Sequence, residues 1–235
     1  MKNVDECIIL AGGFGTRLQS VVSDVPKSMA LVANRPFLEY LFEYLEQQGI
    51  KHVVLSLGYK ADVVIDWLKS QQRKFDISYQ IEETPLGTGG AIKFAFEKIQ
   101  GDSAFIINGD TFFDVNLNRF QTFHKSSDAD ISIVLREMSE FDRYGSVNIA
   151  SDNRITRFNE KKYCKSGLIN GGTYLINKIT FERLNTGQQF SFEKDVLEAH
   201  ISDIQIYGHI ENGYFIDIGI PSDFEKANLD FKSKF

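Results

Sequence analysis

The 235 residues include two cysteines, four prolines, four histidines and one tryptophan, and each scarcity removes a class of protein. Cys7 and Cys164 are too few and too far apart for a disulfide framework or a zinc cluster, and such usage suits a reducing, cytoplasmic setting. Cys7 lies within an apolar run and is expected to be a small core residue. His52, His124, His200 and His209 share no metal-ligand spacing and are expected on the surface or on helices. No run approaches the roughly 18 uncharged apolar residues of a membrane span. Met1–Glu6 is acidic within six residues, so no signal peptide is expected. A net charge of -6 without a long basic stripe argues against a nucleic-acid binder, though a few local cations would still hold a small anion. No internal repeat, low-complexity tract or proline-rich linker divides the chain. Hydrophobic residues at 43% and aromatics at 13% suffice for one large packed domain, residues 1–235.

Strand and helix patterns alternate through the first half. Glu6–Leu10 is a continuous apolar run ending at Gly12-Gly13, as in a buried central strand. Phe37, Leu38, Leu41, Phe42 and Leu45 recur at helical spacing until Gly49. Val53–Leu57, the alternating Ile77, Tyr79 and Ile81, and Ala104–Ile107 predict three further strands, with helices after the first two, the second over about Gly90–Gln100. Short loops between such elements predict a parallel, doubly wound sheet. The second half is less regular. Strands are expected at Ile131–Leu135, Gly145–Ile149, Arg154–Phe158 and Gly171–Ile176, and helices at Lys178–Leu184, Glu193–Ile201 and after Pro221.

The strongest motif is Leu10-Ala11-Gly12-Gly13-Phe14-Gly15-Thr16-Arg17-Leu18, followed by Pro26-Lys27. Glycines just past a buried strand let backbone N–H groups wrap an anion, and Arg17 and Lys27 add fixed positive charge. Glycines alone would leave room for an ordinary turn, and the Thr16-Arg17 and Pro26-Lys27 elements weigh further against it. The spacing is neither the dinucleotide fingerprint nor the Gly-x-x-x-x-Gly-Lys phosphate loop, which disfavours a dehydrogenase and a P-loop kinase. Asn108-Gly109-Asp110 ends a buried strand, where open α/β sheets place ligands. Glu83–Ala91 reads in isolation as a helix-entry loop, and Glu160-Lys161 as a charged hairpin face. Asp128-Ala129-Asp130 imitates the Asp-x-Asp of glycosyltransferases, but it precedes a strand and reads as a turn.

From Leu10 to about Asn228 these motifs, in this order, resemble the sugar nucleotidyltransferase family. The resemblance implies a Rossmann-like α/β fold, with helices on both faces of a mostly parallel sheet and a smaller sugar-binding β insertion. It divides the domain into a nucleotide-binding half, about 1–115, and a sugar- and metal-binding half, about 116–235. Leu10, Ala11, Gly12, Gly13, Gly15, Thr16, Pro85, Gly87, Thr88 and Gly109 would then bind nucleotide. Arg17 and Lys27 would hold pyrophosphate, and Asp110 and Asp217 would hold Mg2+ and complete the catalytic set. Tyr144, Gly145, Glu160, Lys161, Asn170, Gly171 and Glu193 would bind the sugar phosphate.

Pro85-Leu86-Gly87-Thr88 looks most like the members that use GTP. Asn108–Asp114, Phe141–Gly145, Leu168–Gly172 and Tyr214–Gly219 resemble the short guanylyltransferases acting on D-glycero-α-D-manno-heptose 1-phosphate, with mannose 1-phosphate as the alternative. The implied partners are GTP and a sugar 1-phosphate, with no nucleic acid or membrane, and a homodimer left open. Two departures stand out. Pro26-Lys27-Ser28 replaces a frequent Pro-Lys-Pro, and the repeat domains of some relatives are not expected after Asp217. A GT-A-type glycosyltransferase and a nonreacting nucleotide-sugar sensor are the competing classes.

Overall fold

A computed structural model describes residues 3–18, 21–22, 24–184 and 186–234. The strand β1 (Glu6–Leu10) buries Cys7, Ile8 and Ile9 completely, as a strand covered on both faces must. The hairpin of β2 (Leu31–Val32) and β3 (Arg35–Pro36) leads into α1 (Phe37–Gln47), whose apolar stripe buries Phe37, Leu38, Leu41, Phe42 and Leu45. Then follow β4 (His52–Leu57), α2 (Ala61–Leu68), β5 (Asp76–Ile81), α3 (Gly87–Ala95), β6 (Ser103–Asn108) and β7 (Thr111–Phe113). After α4 (Leu117–Ser126) the chain forms β8 (Ile131–Phe141), β9 (Ser146–Ile149), β10 (Ile155–Phe158) and β11 (Cys164–Asn177). It closes with α5 (Lys178–Arg183), a π-helix at Phe192–Glu198, β12 (Ile206–Ile210), β13 (Phe215–Asp217) and α6 (Pro221–Lys234).

β5, β4, β1 and β6 lie side by side and parallel. β11 enters antiparallel to β6, β8 pairs antiparallel with β11, and β12 runs parallel to β8. β9 pairs antiparallel with β11 and β10 antiparallel with β9, so the expected mostly parallel sheet is present, with β11 and β10 as its reversed strands. Alternation along β1 separates two cores. Cys7 and Ile9 face Phe42, Val64, Phe120 and Phe231, from α1, α2, α4 and α6. Ile8 faces Ile92, Phe181 and Val196, from α3, α5 and the π-helix.

Several elements differ from expectation. α3 starts at Gly87, ahead of Gly90, and passes into a 3-10 turn at Phe96–Lys98. α4 carries no clear apolar periodicity in the sequence because its buried stripe of Leu117, Phe120, Gln121 and His124 is half polar. Its start is nonetheless fixed by Asn116, whose side chain accepts from the Arg119 N–H at 3.0 Å. β11 is far longer than Gly171–Ile176, since its first half is only partly buried. The histidine expectation fails at His52, which is buried on β4 and bonded to Glu6 Oε1 at 2.7 Å and Ser78 Oγ at 2.9 Å, and at His209, which is half-buried on β12 against Phe120 and Phe123. His124 is helical, as expected, but buried as well.

Candidate active site

Tight backbone contact sets the site at the carboxyl ends of β1, β4 and β6. A Cβ on Gly109 would stand 2.7 Å from the Leu10 carbonyl oxygen, and one on Gly58 would stand 2.8 Å from the Gly12 oxygen. The Gly109 N–H donates to Leu10 O at 2.9 Å, and the Tyr59 N–H to Gly12 O at 3.2 Å. Glycine is required at these positions because the next strand's backbone occupies the side-chain space. By contrast, a Cβ on Gly13 would meet nothing within 4 Å, so this glycine keeps open the space in front of the loop.

The resulting cavity measures about 530 Å³. Leu10, Ala11, Gly12, Gly13, Gly15 and Lys27 line one side, and Pro85, Gly87 and Thr88 another, with Gly109 and Asp110 at the end of β6. Thr16 opens a short 3-10 turn through Leu18 that contains the exposed Arg17. The glycines of α3 also serve packing. A Cβ on Gly87 (φ +71°) would stand 2.5 Å from Phe190 O, and one on Gly89 2.3 Å from the Phe190 ring. That close approach brings Glu193 to the cavity, where its Oε2 accepts from Thr88 Oγ1 at 2.8 Å.

The charged groups converge where β7 meets β13. These strands pair Thr111 with Asp217, which brings Asp110 and Asp217 together. Burial and the neighbouring Asp110 charge push the Asp217 carboxyl above its usual range, against the opposing pull of the Gly219 N–H, Lys27 and Arg17. Lys27 Nζ lies 3.1 Å from Asp110 Oδ2, and the lysine stem runs beneath Gly15. A Cβ on Gly219 would stand 3.5 Å from Lys27 Nζ and 3.6 Å from Arg17 Nη2, so both cations approach the turn beside Asp217, although of these expected catalytic residues only Lys27 and Asp110 line the cavity, and Arg17 and Asp217 do not. Among the described residues, no group of three or more histidine, cysteine or acidic side chains could hold a metal.

Of the expected sugar-side residues, Glu193 lines this cavity, whereas Tyr144, Gly145, Glu160, Lys161, Asn170 and Gly171 do not. Asn170 and Gly171 lie at a register shift between β11 and β8, an irregularity that re-aims side chains. Asn170 Oδ1 accepts from the Gly172 N–H at 2.9 Å, while its amide donates to Tyr174 Oη at 2.9 Å. The Tyr144 ring stands edge-on to Phe215 at 6.2 Å, and burial followed by the Asp217 charge pushes its phenol up. Glu160 and Lys161 are exposed.

Sequence reasoning missed Ser28, Ser56, Tyr59 and Glu82, all of which line the cavity. Ser56 and Glu82 end or follow parallel strands, so the strand-end rule would have found them. Glu82 is held by the Ser56 hydroxyl at 3.2 Å and by the Leu86 N–H at 2.9 Å. Ser28, the departure from Pro-Lys-Pro, is 2% exposed, and its hydroxyl has no hydrogen-bond partner among the described residues. Asp128-Ala129-Asp130 is a turn, with Asp128 at φ 47° and Asp130 Oδ2 accepting from the Gln205 N–H at 2.9 Å.

The nucleotidyl transferase family matches residues 6–234, and this chain belongs to it. Within the family, the D-glycero-alpha-D-manno-heptose 1-phosphate guanylyltransferase of Aneurinibacillus thermoaerophilus is 48% identical, over 97% of this chain and 98% of the relative. The crystal structure of HddC from Yersinia pseudotuberculosis complexed with GMP-PN has a TM-score of 0.87 at 41% identity, covering 97% of this chain and 100% of that one. The Mannose-1-phosphate guanylyltransferase of Mycobacterium tuberculosis is 32% identical over 96% of this chain, which spans 64% of that longer protein. No helix among the described residues is long and apolar enough to cross a membrane.

Proposed function

We propose that this chain transfers a guanylyl group from GTP to D-glycero-α-D-manno-heptose 1-phosphate, forming the GDP-sugar and pyrophosphate. The observation that carries this reading is the 48% identity, nearly end to end, with a heptose 1-phosphate guanylyltransferase. The chain acts as one unit in a cytoplasmic setting, with its nucleotide half over about 1–115 and its sugar and metal half over about 116–235.

Sugar phosphate is largely a dianion at neutral pH, because the second pKa of a phosphate monoester is about 6. One of its oxygens attacks the α-phosphorus of GTP in line, and the bond from that phosphorus to the β-phosphate oxygen breaks. The leaving pyrophosphate takes the electron pair, so no general base is required. Arg17 and Lys27 stabilise that growing charge, while Lys161 holds the incoming phosphate. The backbone from Leu10 to Thr16 wraps the triphosphate, with Gly109 at its edge. Tyr144 and Gly145 form the sugar wall, Gly171 leaves room, and Glu160, Asn170 and Glu193 bind sugar hydroxyls.

Asp110 and Asp217 fit one Mg2+: they are two hard-oxygen donors crowded together, and Mg2+ is commonly held by one or two carboxylates besides phosphate oxygens. When bound, the ion supplies charge neutralisation between the nucleotide and the incoming phosphate. Glu82 supports the choice of base. Its carboxylate retains acceptor capacity beyond the bonds from Ser56 and Leu86, and guanine offers two adjacent donors, N1–H and the 2-amino group. Pro85, Gly87 and Thr88 close the same side of the cavity.

Pyrophosphate release over a matrix of nucleotides and sugar 1-phosphates tests the reading. GTP with the heptose phosphate should give the highest kcat/KM, and Glu82→Gln should lower the preference for GTP. Faster turnover with UTP or dTTP would overturn guanylyl transfer. A single added hydroxyl contact is worth about 0.5–1.5 kcal/mol, so preference over mannose 1-phosphate is expected to be around tenfold. Equal efficiency with mannose 1-phosphate would reject the heptose alone.

A further inference from the structure

The loop between β8 and β9 carries a cation that the proposed chemistry leaves unused. Arg143 Nη2 bonds Asp223 Oδ2 at 2.5 Å, with the two side chains 38% and 21% exposed. Its guanidinium also lies 5.4 Å from the centre of the Tyr144 ring, and Tyr144 in turn packs edge-on against Phe215 of β13. Asp223 sits in the first turn of α6, where the helix dipole favours a negative charge. The rest of α6 is anchored elsewhere: Ala227 and Phe231 are buried in the core that also holds Phe37, Tyr40 and Phe112.

The other end of the same loop touches the exposed hairpin. A Cβ on Gly145 would stand 2.5 Å from the Asn159 carbonyl oxygen, and the Asn159 N–H donates to Ser146 O at 2.8 Å. The Asn159 side chain adds a bond to Ser146 Oγ at 3.1 Å. Glu160 and Lys161 follow immediately. A continuous line of contacts thus runs from the core beneath the nucleotide half, through α6, Asp223 and Arg143, to Tyr144-Gly145 and on to Glu160-Lys161.

We propose that the Arg143–Asp223 ion pair is a positioning strut that fixes the sugar-binding loops relative to the nucleotide cavity. This rests on the sugar-phosphate reading above. Arg143 touches neither reacting phosphate in this role. It sets where the acceptor phosphate stands relative to the α-phosphorus, and small errors of alignment between reacting groups are costly.

Steady-state kinetics with GTP and the heptose 1-phosphate, together with calorimetric GTP binding, tests the strut. Arg143→Ala and Asp223→Ala should each lower kcat/KM for the sugar phosphate by about ten- to a hundredfold. GTP affinity should stay within about twofold of wild type, a split that general loosening of the fold would not produce. Arg143→Lys should retain part of the activity. The charge-reversed double variant, Arg143→Asp with Asp223→Arg, should recover at least part of what either reversal loses alone. Equal losses in GTP affinity and sugar-phosphate efficiency, or a double variant no better than the single reversals, would overturn the strut. Wild-type protein that binds GTP yet turns over no sugar 1-phosphate would instead defeat the underlying reading, and the strut's purpose with it.

Discussion

The ends of the molecule proposed above for nucleotide and for sugar are built by different means. Around the cavity, main chain presses on main chain: Gly12 on Gly58 and Gly109 on Leu10, at the ends of strands paired in register. On the sugar side, side chains span the gaps, as Asn170 does between Gly172 and Tyr174, and Arg143 between its loop and α6. A site made of backbone is intolerant of added atoms and tolerant of exchanged side chains outside it. A site made of side chains is the reverse, which suits a family whose members share phosphate chemistry but differ in sugar.

The seam between the ends should be the most sensitive place. Asp110→Asn and Asp217→Asn are each expected to lower kcat by about 10²- to 10⁴-fold while the protein stays folded, since each removes charge where the two halves meet. Near-wild-type turnover at saturating Mg2+ in either variant would remove the metal assignment. The backbone character of the nucleotide end is tested by Gly109→Ala, whose new methyl would stand 2.7 Å from the Leu10 carbonyl oxygen. It should cost roughly 1–3 kcal/mol in urea unfolding. Gly13→Ala, which meets nothing within 4 Å, should leave unfolding within about 0.5 kcal/mol yet weaken GTP binding. Comparable destabilisation by both would erase the distinction.

Lys161→Ala probes the opposite end. The lysine is exposed, so stability should hold while KM for the sugar phosphate rises about tenfold, as for loss of one charged hydrogen bond. A change confined to GTP would show that the lysine serves the nucleotide. The smallest expected effect lies far from either end. Burial lowers the His124 pKa below the ordinary 6.5, so its neutral form is favoured in the fold. Below about pH 6.5 the unfolded chain binds more protons at this position, and stability should fall as pH falls towards the folded value. Urea midpoints measured from pH 5 to 8 should decline less steeply on the acid side in His124→Gln than in wild type. Parallel curves would show that His124 does not titrate differently on unfolding.

This contrast also explains what was legible in the sequence. Gly12 and Gly109 announce themselves because close backbone approach leaves a compositional trace, Gly15 because its φ of +62° favours glycine, and Gly13 because it keeps open space in front of the loop. Strands buried on both faces, such as β1, β4 and β6, are continuous apolar runs whose bounds in the sequence and in the structure agree to within a residue or two. Ser56 and Glu82 carry no glycine signal of this kind, and only their place at the carboxyl ends of predicted parallel strands points to them. α4 was obscured because Gln121 and His124 occupy core positions, satisfied by partners distant in sequence: the Val4 N–H for Gln121, and Asn177 for His124. The partnership of Arg143 with Asp223, eighty residues apart, likewise belongs to the folded chain.

β11 imposes a constraint on how such proteins change over time. Its final residues, Thr173–Asn177, pair with β6 beside the nucleotide cavity, and its earlier residues pair with β8 and β9 on the sugar side. Inserting or deleting one residue in this strand would turn one of its ends inside out, because side chains alternate between faces. Innovation in acceptor choice is thereby steered away from length changes here and into the turns after β8 and β10, where drift in loop length leaves the ladder intact.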